Sequence, residues 1–302
     1  MSYWICVKHA PRSVHIIWMG LVIVVIHLYS VAIQHEEQFT NHEESKHLPG
    51  YSVYAIKLLK KSYLHPPSRK YYNITFGNSQ YTQGDAVKAG PLSILINSIF
   101  GDKMNGFFIE AGALDGVHLS NSLKLELEKN WTGLLIEPNP VSYKQLLQKN
   151  RKTWTSNTCI SSENFTKETV LVALSDDRDV SPMNVRGASY ELENNVQNIY
   201  IMNKTNFKIS NKHYVVVQCF PLVTYILALD VNTVDLLSLD IQGTEKQVLA
   251  TLPYEIINFR LILVENISDE KDTQLISNMK LRGYRYLFND CENYMFLKEG
   301  NS

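Results

Sequence analysis

The sequence has no surplus of charge of either sign: 29 Lys and Arg stand against 30 Asp and Glu, a formal net charge of −1. A general nucleic-acid binder, which needs a basic excess, is thereby excluded. Cysteine is scarce, 4 in 302 residues with no CxxC pair. Neither a disulfide-built scaffold nor a structural zinc site is expected. Charged residues amount to 20%, and part of the shortfall lies in one stretch: residues 14–33, VHIIWMGLVIVVIHLYSVAI, contain no Asp, Glu, Lys or Arg. What is present, 45% hydrophobic and 11% aromatic residues, supports one sizeable globular domain and excludes a mainly disordered or fibrous chain.

A helix needs about 20 apolar residues to cross a bilayer's hydrocarbon core, which is the length of the uncharged stretch. Lys8 and Arg12 precede it, and Glu36 and Glu37 follow it. The positive-inside rule then keeps residues 1–13 in the cytosol, makes 14–33 a type II signal anchor and sends the remainder into the lumen. The alternative is a signal peptide cleaved near Ala32, since Ser30, Val31 and Ala32 offer small residues at a suitable spacing. The span exceeds the usual h-region, which favours the anchor; both readings send the body into the secretory pathway. Five sequons agree, at Asn73, Asn130, Asn164, Asn203 and Asn266. In an oxidising lumen one cysteine pair is expected, and Cys159 with Cys219, each in a β-like segment, is preferred over any pair with Cys291.

Residues 34–50 read as a polar stalk and 51–302 as the folded body. Helical apolar spacing marks 51–61, 85–100, 119–129, 141–150, 222–229, 244–252 and 268–281. Strand-like runs fall at 107–109, 132–136, 155–160, 169–174, 214–219, 234–239 and 260–264, with a closing hairpin at 284–288 and 294–297. The Asn-rich segment 176–212 reads as a surface excursion. Alternating strands and helices imply an α/β fold with a mostly parallel sheet covered on both faces. In such sheets ligands bind beyond the carboxyl ends of the strands.

The first body strand runs into Glu110-Ala-Gly112-Ala-Leu-Asp115-Gly116, and the second ends in Glu137-Pro-Asn139-Pro. A glycine turn followed by an acid that ends the next strand suits a nucleoside, whose ribose hydroxyls a carboxylate can accept. The plainer alternatives are that Gly112 only makes a turn and Glu137 only favours a helix N-terminus.

FIEAGALDG, LSNSLKLELEKNWTGLLIEPNP, LLSLDIQGTEKQVLATL, LILVEN and RGYRYLF occur in this order. The set resembles the FkbM-type S-adenosylmethionine-dependent methyltransferases, and among them the Star-like type II membrane proteins. The resemblance implies a Rossmann-like methyltransferase fold behind one N-terminal transmembrane helix. It places Glu110, Gly112 and Asp115 at the methionine end of S-adenosylmethionine, Glu137 and Asn139 at the ribose, and Asp240 near the transferred methyl. The adenine segment has two registers, Cys159-Ile-Ser161, which is preferred, or residues 173–176. Glu110 stands where many relatives have Asp, and Gln242 where they have Glu. The Star-like resemblance further implies a glycoprotein of endoplasmic reticulum and Golgi membranes, with endosome or plasma membrane as further stations. Its expected partners are membrane-bound growth-factor precursors, ligands of the EGF receptor, whose transport it assists. The alternative is an active O-methyltransferase acting on a lumenal glycan or small-molecule hydroxyl.

Overall fold

The structure, a computed structural model, describes residues 47–76, 79–80, 91–174, 189–192, 212–265, 272–289 and 293–300. The expected anchor 14–33, Cys291, Asn203, Asn266 and most of the excursion 176–212 lie outside these residues. Among the described residues no helix is long and apolar enough to cross a membrane.

Seven helices are described: α1 (Val53–Ser62), α2 (Pro91–Phe100), α3 (Leu123–Lys129), α4 (Pro140–Gln148), α5 (Leu222–Ala228), α6 (Glu245–Thr251) and α7 (Thr273–Leu281). Six short strands come early in the chain or outside the main sheet: β1 (Leu64–His65), β2 (Thr75–Phe76), β3 (Ser79–Gln80), β4 (Phe107–Ala111), β5 (Thr132–Ile136) and β6 (Trp154–Ser156). They are followed by β7 (Cys159–Ile160), β8 (Lys167–Leu174), β9 (Ser189–Glu191) and β10 (Lys212–Phe220). The last four are β11 (Thr233–Leu239), β12 (Asn258–Glu265), β13 (Tyr284–Asn289) and β14 (Asn293–Lys298).

The strands β4, β5, β11 and β12 are predominantly apolar, as strands covered on both faces are, with Asp235 and Arg260 towards the starts of β11 and β12. Their side chains alternate between two cores. Ile109, Leu134, Leu237 and Ile262 point to a face covered by α1, α5, α6 and α7 through Leu59, Tyr225, Val248 and Met279. Phe108, Leu135, Leu236 and Leu261 point to the other, covered by α2, α3 and α4 through Phe100, Leu125 and Leu146. The sheet order is β1-β6-β5-β4-β11-β12-β14-β13. From β6 to β12 neighbours are parallel, while β1 and β14 join antiparallel. The chain leaves β4 outward through β5 and β6 and returns to β11 on the other side. This reversal between β4 and β11 is the position where open α/β sheets form a ligand crevice.

Three features differ from the reading of the sequence. First, residues 155–160 are not one strand: β6 belongs to the main sheet and β7 to a second sheet of order β7-β10-β8-β9. Buried hydroxyls turn the chain between them: Ser156 Oγ meets Thr158 Oγ1 at 2.7 Å, and Thr158 meets Tyr225 Oη at 2.6 Å. An alternating pattern cannot show a strand changing sheets. Second, the α3 helix begins at Leu123 rather than 119, because Leu119 is left-handed (φ 56°) and residues 120–122 serve the site described below. Third, the end of the expected stalk is part of the body. Thr166 exchanges bonds with Leu48, and Gly50 donates to Asn164 O at 2.8 Å.

Cys159 and Cys219 face each other on parallel strands β7 and β10 and are joined by a disulfide, 60 residues apart in sequence. Asn73, Asn130 and Asn164 are exposed. Closing a loop of that length restricts the unfolded chain, by about 4 kcal/mol on the chain-entropy account. The Cys159→Ser/Cys219→Ser variant is therefore expected to lose about that much stability in urea unfolding; an unchanged midpoint would contradict the link.

Candidate functional site

The loop after β4 is organised around carboxylates. Gly112 and Ala113 donate to the Ile136 carbonyl at 3.0 and 3.1 Å, so the chain crosses over the end of β5 as it leaves β4. Gly112 sits at φ 83°, and a Cβ there would lie 2.0 Å from the Asp240 carbonyl oxygen. Glycine is required by the contact of β4 with the chain leaving β11, and its open side faces protein. Further along, Asp115 Oδ1 accepts from the N–H groups of Val117 (2.9 Å) and His118 (2.7 Å), and Lys149 lies 3.4 Å from its other oxygen. Burial opposes ionisation of Asp115, but the His118 and Val117 N–H groups and Lys149 outweigh it and hold the carboxyl below its usual range. Asp115 is thus an internal brace of the turn.

Glu110, buried at the end of β4, is also engaged. Its Oε1 accepts from Asn121 N–H (2.8 Å), and its Oε2 accepts the hydroxyls of Ser120 (2.8 Å) and Ser122. Behind those serines lies Arg151, whose side chain is fully enclosed. It pairs with Glu126 at 2.8 Å, bonds the Gly116 carbonyl, and reaches Ser122 Oγ at 3.1 Å. Glu126, Arg151, Ser120, Ser122 and Glu110 form one buried polar network that ties α3, the segment before β6 and the β4 loop together. Sequence reasoning missed Arg151 and Glu126, which are 25 residues apart and carry no local motif.

Glu137, at the end of β5, is 2% exposed. Leu114 N–H donates to its Oε2 at 2.7 Å and Asn139 N–H to its Oε1 at 2.8 Å. Each oxygen keeps a free lone pair, and among the described residues no cation is paired with it. Burial, which the two N–H groups only partly offset and the charge of Asp240 reinforces, pushes its carboxyl up to about 8. Asn139 is buried; its side chain caps α4 by accepting from Val141 N–H at 3.0 Å.

Beyond β11, Gln242 adopts a left-handed conformation (φ 61°). Its amide donates to Asp240 Oδ1 at 2.6 Å and Glu265 Oε2 at 2.8 Å, linking the ends of β11 and β12. Glu245 at the start of α6 holds this turn, accepting from Ile241 N–H (2.9 Å) and Gly243 N–H (3.0 Å). Burial and the Asp240 charge raise its carboxyl to about 7, against the backbone donors. Neither Glu245 nor Glu265 was singled out from the sequence.

The main sheet therefore gathers Glu110, Gly112, Asp115, Glu137, Asn139 and Asp240 at one end, across the β4–β11 reversal. Ser161 follows β7 in the second sheet, its Oγ accepting from Glu163 N–H at 3.1 Å and its N–H bonding Phe220 O. The other adenine register begins in β8 of that same sheet, and residues 175–176 lie outside the described chain. Among the described residues no three metal-binding side chains come together. The donor set suits a cationic nucleoside instead. Once ionised, Glu137 has two spare acceptor positions for a diol, and the acids Asp240, Glu245 and Glu265 gather where positive charge would be favourable. S-adenosylmethionine carries both features.

The raised carboxyls also fix a pH dependence. Folded Glu137 keeps its proton up to about 8, whereas in the unfolded chain it ionises near 4.5. Between these values the folded state binds more protons, so stability falls as pH rises. Glu245, raised to about 7, acts in the same direction. The free energy of unfolding is expected to decline from about pH 5 to pH 8 and the Glu137→Gln variant to flatten the slope. An identical slope in the variant would contradict the assignment.

Comparison with known families matches residues 110–286 to the methyltransferase FkbM domain, more than half of the chain and a segment running from Glu110 past Asp240. No curated protein matches the chain. With the strand-end acids inside the matched segment, the chain belongs to the FkbM methyltransferase domain family.

Proposed function

We propose that the crevice at the ends of β4, β5 and β11 binds S-adenosylmethionine, and that the domain serves as an FkbM-type O-methyltransferase facing the lumen of the secretory pathway. The buried Glu137 carboxyl carries this reading: it is held by two backbone N–H groups, has no cation beside it among the described residues and, once ionised, has acceptor positions left for ribose hydroxyls. In this account Glu137 holds the ribose. Glu110 and Asp115 act indirectly, by fixing the loop that delivers Leu114 N–H. Asp240, oriented by Gln242, lines the acceptor side, where alignment of a hydroxyl is the main requirement for methyl transfer. Bound S-adenosylmethionine supplies the activated methyl group.

A second reading is Star-like: a type II membrane protein assisting transport of EGF-receptor ligand precursors from endoplasmic reticulum to Golgi. It is favoured by the engagement of Glu110 and Gln242 with neighbouring protein groups, which commits both side chains to structural roles. Both readings need the secretory compartment. The Cys159–Cys219 disulfide and the exposed sequons at Asn73, Asn130 and Asn164 support that location.

Calorimetric titration of the full chain with S-adenosylmethionine separates them. Saturable binding that weakens about tenfold or more in Glu137→Ala is expected, as for loss of charge-assisted hydrogen bonds. No binding at millimolar cofactor by a folded protein that still captures a growth-factor precursor would remove the methyltransferase reading and leave transport.

A further inference from the structure

At the opposite end of the sheet, around the start of β12 and β13 and the end of β14, lies a cleft of about 500 Å³ that the methyltransferase reading does not use. Arg260, Arg285 and Lys298 line it, with Glu299 as its acid and Ile99, Phe100 and Leu297 as an apolar wall. The acid paired with Arg260 is Asp235, which it shares: Asp235 accepts Lys103 Nζ at 2.6 Å, Phe107 N–H at 3.0 Å and Arg260 Nη1 at 3.3 Å. Two cations thus share one carboxylate, and most of the Arg260 donors remain uncommitted. Lys298 is fixed in place by the Arg282 carbonyl (2.8 Å) and lies over the Tyr284 ring at 4.7 Å, which keeps its charge at the cleft. Arg285 is exposed and has no ion pair among the described residues. Lys103, Arg260, Arg285 and Lys298 outnumber Asp235 and Glu299 by two charges, in a chain whose net charge is close to zero.

We infer that this cleft is a second ligand site, taking a phosphate-type oxyanion between Arg260 and Arg285, with an apolar portion against Phe100 and Leu297. Guanidinium groups match a tetrahedral oxyanion in fork geometry and lose less hydration energy than an ammonium when they do so. A purely structural role for the cluster would need the cations neutralised by acids. Here, among the described residues, Asp235 is divided between Lys103 and Arg260, and Arg285 has no ion pair. The oxyanion has two sources, a soluble phosphate compound or a lipid headgroup, and the apolar wall distinguishes them by affinity.

The test is a titration of the full chain with inorganic pyrophosphate and, separately, with a short-chain, monomeric phosphatidic acid. Saturable binding is expected, weakened about tenfold or more in Arg285→Ala, partly restored in Arg285→Lys, and unchanged in Lys61→Ala on α1. Tighter binding of pyrophosphate identifies a soluble ligand, and tighter binding of the phosphatidic acid a headgroup; either result upholds the site. Failure of both probes to saturate the folded wild-type chain would overturn it, as would binding that Arg285→Ala leaves intact. Glu137→Ala is expected to leave this binding unchanged, so the outcome is independent of the cofactor crevice.

Discussion

Two carboxylates at the ends of adjacent strands, Glu110 and Glu137, are held by backbone N–H groups of a single loop, and the geometry of the site depends on that loop. Leu114 N–H reaches Glu137 from one part of it and Asn121 N–H reaches Glu110 from another. Acids rarely sit enclosed in a protein without a partner, because a buried charge costs several kcal/mol unless it is paired or hydrogen-bonded. Glu110 meets that cost with three donors. Glu137 has two, and burial, with the Asp240 charge, outweighs them and raises its carboxyl.

The loop is in turn held by Arg151. A buried ion pair contributes little by comparison with an apolar replacement, but removal of one partner costs about 3–5 kcal/mol because the other is stranded. The Arg151–Glu126 pair therefore fixes the position of the Ser120–Ser122 segment more than it adds to stability. The same logic recurs beyond β11, where Glu245 gathers two backbone N–H groups and sets the left-handed turn that puts the Gln242 amide between Asp240 and Glu265. A neutral amide lies where a glutamate would add a further charge to an already acidic corner. The acids on either side of the β4–β11 reversal are thus preorganised by backbone donors and by one amide.

Much of this was legible in the sequence. The core strands β4, β5, β11 and β12 are predominantly apolar, and 132–136 matches β5 residue for residue because Gly133 to Ile136 is buried on both faces and flanked by polar turns. Glu110, Glu137 and Asp240 stood out because each ends such a run. Other features depend on contacts distant in sequence. The crossing from β6 to β7 is made by Tyr225, about 70 residues later, and the mixed second sheet depends on antiparallel pairing between β8 and β10 across the excursion. Ser161 followed a β-like run as the other candidates did, but no local pattern reveals that the run belongs to a different sheet. Gly112 looked like a ligand-approach glycine, whereas the neighbour it accommodates is the Asp240 carbonyl.

The central proposal is that Glu137, its carboxyl pushed up by burial to about 8, gives up its proton when ribose hydroxyls bind to its ionised form. The most direct measurement is the proton count on binding of S-adenosylhomocysteine, taken calorimetrically at pH 7 in two buffers of different ionisation heat. The account requires net release of protons, and loss of that release in Glu137→Gln. Binding without proton exchange in the wild-type chain would contradict it.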